Sequence, residues 1–160
     1  MLTIRPARPD DLDVLAVMVH ELAEYEHSAE SCFVTSEHLH AALFGTEPAV
    51  FAHVAELEGD VIGMALWFLT FSTWEGVHGI WVEDLFVRES ARGTGAGTAL
   101  LEELAQICRD RGYARMEWVV LDWNEPSIGF YRALGAEHMD EWQVYRLTGP
   151  ALAALGQEAS

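Results

Sequence analysis

A mixed α/β (α+β) sandwich, one central sheet flanked by helices, is the fold class this sequence predicts. Three observations carry the prediction. Short apolar runs of strand length are interspersed with stretches of helical period. Turn signals join some of these runs as antiparallel hairpins, while one strand–helix–strand passage reads as a crossover. No internal repeat, low-complexity tract or linker divides the 160 residues, so residues 1–160 are read as one domain.

The elements follow in order. Ile4 and its neighbours form a short strand ended by Pro6, after which Asp10 or Asp11 caps a helix carrying Leu12, Leu15, Val19 and Leu22 at helical spacing. A short helix over Ser36 to Phe44 stops at Gly45. Two strands, Val50 to Leu57 and Val61 to Phe71, flank the turn Glu58-Gly59-Asp60. After a loop with Trp74 and Gly76, a strand over Ile80 to Val87 is bounded by Gly79 and Arg88-Glu89-Ser90. A glycine-rich turn then opens a helix burying Leu100, Leu101, Leu104 and Ile107, with Gly112 just past its end. Met116 to Leu121 is a strand, and Pro126 sits in the first turn of a helix that Gly135 ends. Glu141 to Leu147 is expected to be the last strand, followed by a short Ala/Leu tail.

Composition excludes several function classes. Twenty-six acidic against nine basic residues give a formal charge of −17, which repels phosphate backbones and anionic lipid. Neither a nucleic-acid nor a membrane partner is expected, and a cationic partner is. No basic region followed by a long apolar stretch marks a signal peptide at Met1-Leu2-Thr3-Ile4-Arg5, and no apolar run reaches membrane-spanning length. Two cysteines make no disulfide framework or CxxC pair, and His38 and His40 stand two apart on different helix faces. No metal is expected, and the location is read as cytoplasmic.

The run Arg92-Gly93-Thr94-Gly95-Ala96-Gly97-Thr98 lies between a strand and a helix. Alternating glycines let backbone N–H groups converge, and the helix N-terminus adds unpaired donors and partial positive charge. Such a turn holds a pyrophosphate with few basic side chains, Arg88 and Arg92 supplying nearby charge. The dinucleotide pattern GxGxxG fails, since the third glycine position falls on Thr98 or Leu100, and a P-loop fails for want of a lysine. A tight strand-to-helix connection would show the same glycines.

The turn matches R-x-x-G-x-G and resembles the coenzyme A pyrophosphate loop of the GNAT N-acetyltransferases. The element order is similar to that acyl-CoA N-acyltransferase fold throughout. Val82-Glu83-Asp84-Leu85-Phe86-Val87, Trp123-Asn124-Glu125-Pro126-Ser127-Ile128-Gly129-Phe130-Tyr131 and Glu21-Leu22-Ala23-Glu24-Tyr25-Glu26 resemble one branch, the diamine (spermidine/spermine) and thialysine N-acetyltransferases. The resemblance runs from about Thr3 to Leu147. It implies acetyl transfer from acetyl-CoA to a primary amine of a small polyamine-like or amino-acid-like substrate in a ternary complex, and a homodimer. Leu85, Phe86 and Val87 would offer backbone groups to the acetyl and pantetheine arm. Gly93 to Thr98 (Gly93, Thr94, Gly95, Ala96, Gly97, Thr98) with Arg92 would bind pyrophosphate, and Asn124 and Ser127 would hold the cofactor where the Pro126 helix begins. Tyr131 would face the sulfur. Thr94 and Ala96 stand where the branch carries bulkier apolar residues, and the segment with Ser28, Ala29, Ser31 and Cys32 gives no clear match.

The residues also make chemical sense by themselves. Asn124 and Tyr131 are two helical turns apart and share a face, and a phenol there can protonate a departing thiolate. An alkyl amine, with a pKa near ~10.4, must lose a proton before attack, so a proton acceptor and an anionic surface are needed. Period-2 alternation predicts Glu83 beside Trp81 and Leu85, and Asp84 beside Val82 and Phe86, on opposite faces. The resemblance makes Glu83 the base, through water, and Asp84 the second, substrate-binding carboxylate; pairing to arginines is the structural alternative. Tyr25 and Glu26 end the first helix where the resemblance implies amine-binding residues, and Glu21 and Glu24 nearby make a carboxylate-rich patch that favours a di- or polycation over a single amine; the same residues would suit a solvated helix face. Trp74 would cover the acceptor site or pack beneath it. A non-catalytic coenzyme A-binding module and a protein or peptide N-acetyltransferase are the competing functional readings.

Overall fold

Strands form where the apolar runs lie, and the pairing among them sets the architecture. In the computed structural model, which describes residues 1–157, β1 (Leu2–Pro6), β2 (Phe51–Leu57), β3 (Asp60–Ser72), β4 (Val77–Val87) and β5 (Met116–Glu117) make one sheet in that order. The first four pair antiparallel, and β4 pairs β5 in parallel across the crossover helix α3 (Ala96–Arg111).

Two helices cover one sheet face. α1 (Leu12–Tyr25) buries Leu12, Leu15, Ala16 and Met18, and α2 (Ser36–Phe44) buries Leu39 and Leu43; both join Val54, Met64, Leu66 and Phe86 in one apolar cluster. Thr35 starts α2 by accepting the His38 N–H at 3.2 Å while its own N–H donates to His38 Nδ1. α3 contacts β2, β3 and β4 and fully buries Leu100 and Leu104. On the strand positions of opposite parity, Trp67 Nε1–H donates to His53 Nδ1 at 3.1 Å in the interior. Burial pushes the His53 pKa down, so the ring stays neutral with its proton on Nε2.

Four expectations are corrected. Asp11 precedes α1 but does not cap it: Oδ2 takes the Arg8 N–H at 2.7 Å and Arg5 Nη1 at 2.8 Å. Arg5 also pairs with Glu56, tying β1, β2 and the entry to α1 together. Gly79 does not bound a strand but lies inside β4, where a Cβ would come within 2.7 Å of the Arg115 carbonyl oxygen. That carbonyl accepts the Ile80 N–H at 3.0 Å, so bare backbone is what lets the chain entering β5 approach. The strand expected over Met116 to Leu121 stops after Glu117.

The last expected strand, Glu141 to Leu147, does not form, because no ladder partner pairs with it among the described residues and Trp142, Val144 and Tyr145 stay exposed. These residues belong to a compact unit that begins at Val120, distinct from the unit Met1–Val119 that holds the sheet. Within it, α4 (Glu125–Ala133) has Pro126 in its first turn, and the Ala/Leu tail is helical as α5 (Gly149–Leu155).

Gly79→Ala is expected to cost about 1–3 kcal/mol, because the added methyl meets the Arg115 backbone carbonyl on one side and Thr70 Oγ1 on the other. A urea unfolding midpoint equal to that of the unsubstituted protein would show that the β4–β5 approach has slack.

Candidate active site

β4 is not a regular strand at the two carboxylates. Leu66 pairs with Asp84 and Trp67 with Val82, so Glu83 has no partner across the ladder and forms a β-bulge. The extra residue breaks the expected alternation. Asp84 shares a face with Leu66 and with Phe86, which belongs to the α1–α2 core cluster, whereas Val82 faces the other way with Trp67. Glu83 is exposed and its Oε2 accepts the Trp81 Nε1–H at 3.1 Å, in keeping with the expected neighbour Trp81.

The re-aimed Asp84 sits in an unusual field. Burial first, and then the negative charges of Glu83 and Glu26, push its carboxyl up to about 6. Glu26, following the last residue of α1, is itself raised by desolvation. The fold thus brings Glu26, Glu83 and Asp84 into electrostatic reach of one another from two elements. Tyr25, the last residue of α1, is half-buried. Glu21 and Glu24 line an open groove with Asp13, His20 and Glu37, and Trp74 stands exposed in the turn between β3 and β4.

β4 is half-open beyond the carboxylates. Its parallel pairing to β5 consists of Ile80 with Met116 and Trp81 with Glu117. Among the described residues no strand pairs with that edge from Val82 to Val87, the stretch holding Leu85, Phe86 and Val87. The chain leaves this edge through one 3₁₀ turn, Glu89–Ala91, and then enters the glycine turn. Gly93 and Gly95 adopt left-handed backbone angles (φ 82° and 84°), and a Cβ at either would meet nothing within 4 Å. Thr94 Oγ1–H donates to the Ala91 carbonyl at 2.7 Å, turning that side chain back into the loop. α3 begins at Ala96, so the N–H groups of Ala96, Gly97 and Thr98 are first-turn donors with no acceptor one turn earlier in the helix.

Two arginine contacts went unread in the sequence. Arg88, expected as charge beside the turn, is held by Glu21 through hydrogen bonds of 3.2 and 3.1 Å. The Arg92 guanidinium carbon lies 5.2 Å from the centre of the Tyr25 ring. No local spacing signals either contact, since the Arg88–Glu21 partners stand 67 residues apart in the chain. In the unit beginning at Val120, buried Asn124 precedes α4 and its Oδ1 accepts the Ser127 N–H at 3.4 Å. Tyr131 lies two turns along that helix, half-buried, with its ring 5.5 Å from Phe130.

Among the described residues no three His, Cys, Asp or Glu side chains converge as a metal-binding group, and no helix is long and apolar enough to cross a membrane. Comparison with known proteins agrees with the turn and the sheet. The model of the acetyltransferase (GNAT) family matches residues 15–136. A thialysine N-epsilon-acetyltransferase from Bos taurus is 33% identical over 163 residues, covering 95% of both chains. An L-ornithine N5-acetyltransferase from Arabidopsis thaliana is 28% identical, covering 95% of this chain and 86% of its own. Among solved structures, an integron cassette protein from V. cholerae superposes with a TM-score of 0.82 at 26% identity over 98% of each chain. With the family matched across the strands, the glycine turn and α4, and a relative one-third identical along nearly the whole length, the chain belongs to the acetyltransferase (GNAT) family.

Proposed function

We propose that this acetyltransferase moves the acetyl group of acetyl-CoA onto a primary amine of a small cationic substrate by direct attack in a ternary complex. The observation that carries the reading is the open edge of β4 running into the left-handed glycine turn. Unpaired backbone groups suit the amides of a pantetheine arm, and outward-facing N–H groups at a helix start suit its diphosphate. Leu85, Phe86 and Val87 take the first role, and Arg92 with Gly93 to Thr98 the second. Asn124 and Ser127 are the further cofactor residues that the family resemblance implies. The relatives named for thialysine and L-ornithine favour an amino-acid-like diamine over a long polyamine as acceptor. The reading includes a single domain over 1–160, a homodimer, and a cytoplasmic setting that suits the free thiols of Cys32 and Cys108.

Tyr25, Glu26 and Asp84 receive the cationic acceptor; Trp74, expected beside them, lies in the turn before β4, at the other end of that strand from Asp84. Glu83, exposed on its bulge, draws the ammonium proton away through water, leaving a neutral nitrogen to attack the thioester. Tyr131 donates its phenolic proton to the departing thiolate. Asp84 is a second reading for the base, favoured by its pKa of about 6, which matches a general base working near neutral pH.

An initial-rate assay of coenzyme A release should find its highest kcat/KM for an amino-acid-like diamine. The panel is thialysine, L-ornithine, L-lysine, spermidine and a simple monoamine. Tight acetyl-CoA binding without release for any of them would replace the transferase with a binding module.

Tyr131→Phe is expected to lower kcat by about 10²-fold or more while acetyl-CoA affinity stays within about twofold. Equal turnover across pH would remove Tyr131 from the mechanism.

Asp84 gives a pH signature whose sign follows from its raised pKa. Between the ordinary value of 3.8 and about 6 the folded state holds a proton that the unfolded state has lost, so stability falls as pH rises through this window. Asp84→Asn should therefore stabilise the protein at neutral pH by about 3 kcal/mol, with no gain in the acid range below the window. If Asp84 is the base, the same substitution abolishes the acid limb near pH 6 and Glu83→Gln moves it to lower pH. An acid limb unmoved by Asp84→Asn leaves the proton with Glu83.

A further inference from the structure

The ring of Tyr25 already carries a cation in the free protein. The Arg92 guanidinium lies over it, its carbon 5.2 Å from the ring centre, within the range at which a cation is attracted to the face of an aromatic ring. Arg92 is exposed and belongs to the glycine turn, one residue before the left-handed Gly93. One turn back along α1 from Tyr25, Glu21 is gripped by Arg88, so the end of the helix is tethered to the end of β4 by a contact that does not involve Arg92. The surroundings favour positive charge, since Glu26 adjoins Tyr25 in sequence and shares the field of Asp84.

We propose that Arg92 and the acceptor's ammonium are alternative occupants of the same face of Tyr25, and that a diphosphate on the glycine turn decides between them. This rests on the reading of the turn as a diphosphate site and of Tyr25 as an acceptor residue. A guanidinium pairs better with two phosphates than with an aromatic ring, because the phosphate contact is charge-assisted and bidentate. Diphosphate binding draws Arg92 off the ring, while the Arg88–Glu21 pair keeps Tyr25 in place. The vacated face then takes the acceptor cation. Arg92 is thus a positioning residue that makes acceptor binding follow cofactor binding, and by linkage each ligand strengthens the other.

The test uses full-length protein labelled with 3-fluorotyrosine, giving one fluorine resonance for each of the four tyrosines, with Tyr25→Phe identifying that of Tyr25. Saturation with free coenzyme A should shift the Tyr25 resonance in the unsubstituted protein. In Arg92→Gln the resonance should sit near the shifted position before any ligand is added, a readout that survives weakened cofactor binding. Calorimetry with L-ornithine should give affinity about three- to fivefold tighter in the presence of free coenzyme A, the size expected for a surface cation–π contact. That gain should vanish in Tyr25→Leu. A Tyr25 resonance unmoved at saturating coenzyme A, or one in Arg92→Gln that matches the ligand-free unsubstituted protein, would overturn the proposal. Absence of turnover with every amine, alongside the expected fluorine shifts, would instead count against the transferase reading.

Discussion

The parallel ladder between β4 and β5 ends after two residue pairs, and the layout of the candidate site depends on that ending. A longer ladder would have satisfied the backbone from Val82 onward. Because it stops, the strand reaches the glycine turn with one edge still able to form hydrogen bonds, and backbone polar groups are strong enough partners to organise a ligand without side-chain help. The opposite edge of β4 is fixed by β3, and Phe86 is anchored in the cluster under α1 and α2. One side of the strand is therefore rigid while the other is available.

The bulge at Glu83 adds a second constraint to the same strand. It turns Asp84 towards the face that α1 covers, where water is scarce and Glu26 and Glu83 are near. Among the described residues no arginine is one of the charges that act on Asp84. Arg88 is held by Glu21, Arg92 lies over Tyr25, and Arg5 pairs with Asp11 and Glu56 at the β1–β2 edge of the sheet. An uncompensated carboxyl in a half-dry site is costly to the fold, and such costs gather where chemistry needs a group of tuned affinity for protons.

Elements built from local chemistry were legible before the structure. Ser36 to Phe44 with its stop at Gly45, the Glu58-Gly59 turn, and the helix entered through alternating glycines follow from caps, backbone angles and apolar period, all encoded within a few residues. Features set by contact between distant segments were not. Gly79 reads as a boundary until the Arg115 carbonyl is seen against it. Nothing near Glu83 marks a bulge, since neither glycine nor proline occurs there, and a shifted register reverses every facing assignment beyond it. Glu141 to Leu147 has the composition of a strand, but a strand also requires a neighbour. The residues of the site were nameable from motif resemblance, whereas the division of labour between Glu83 and Asp84 depends on burial.

Under the proposed reading, the glycine turn would hold its diphosphate through backbone dipoles and the Arg92 guanidinium, and such attraction fades within a few ångströms. At longer range an approaching anion meets the field of a chain with a formal charge of −17. Added electrolyte shortens the reach of that field, to about 10 Å at 0.1 M, and so removes a kinetic barrier for the anionic reactant. The same ions weaken the capture of a cation. Ionic strength therefore acts on the two encounters in opposite directions, quickening one collision as it slows the other.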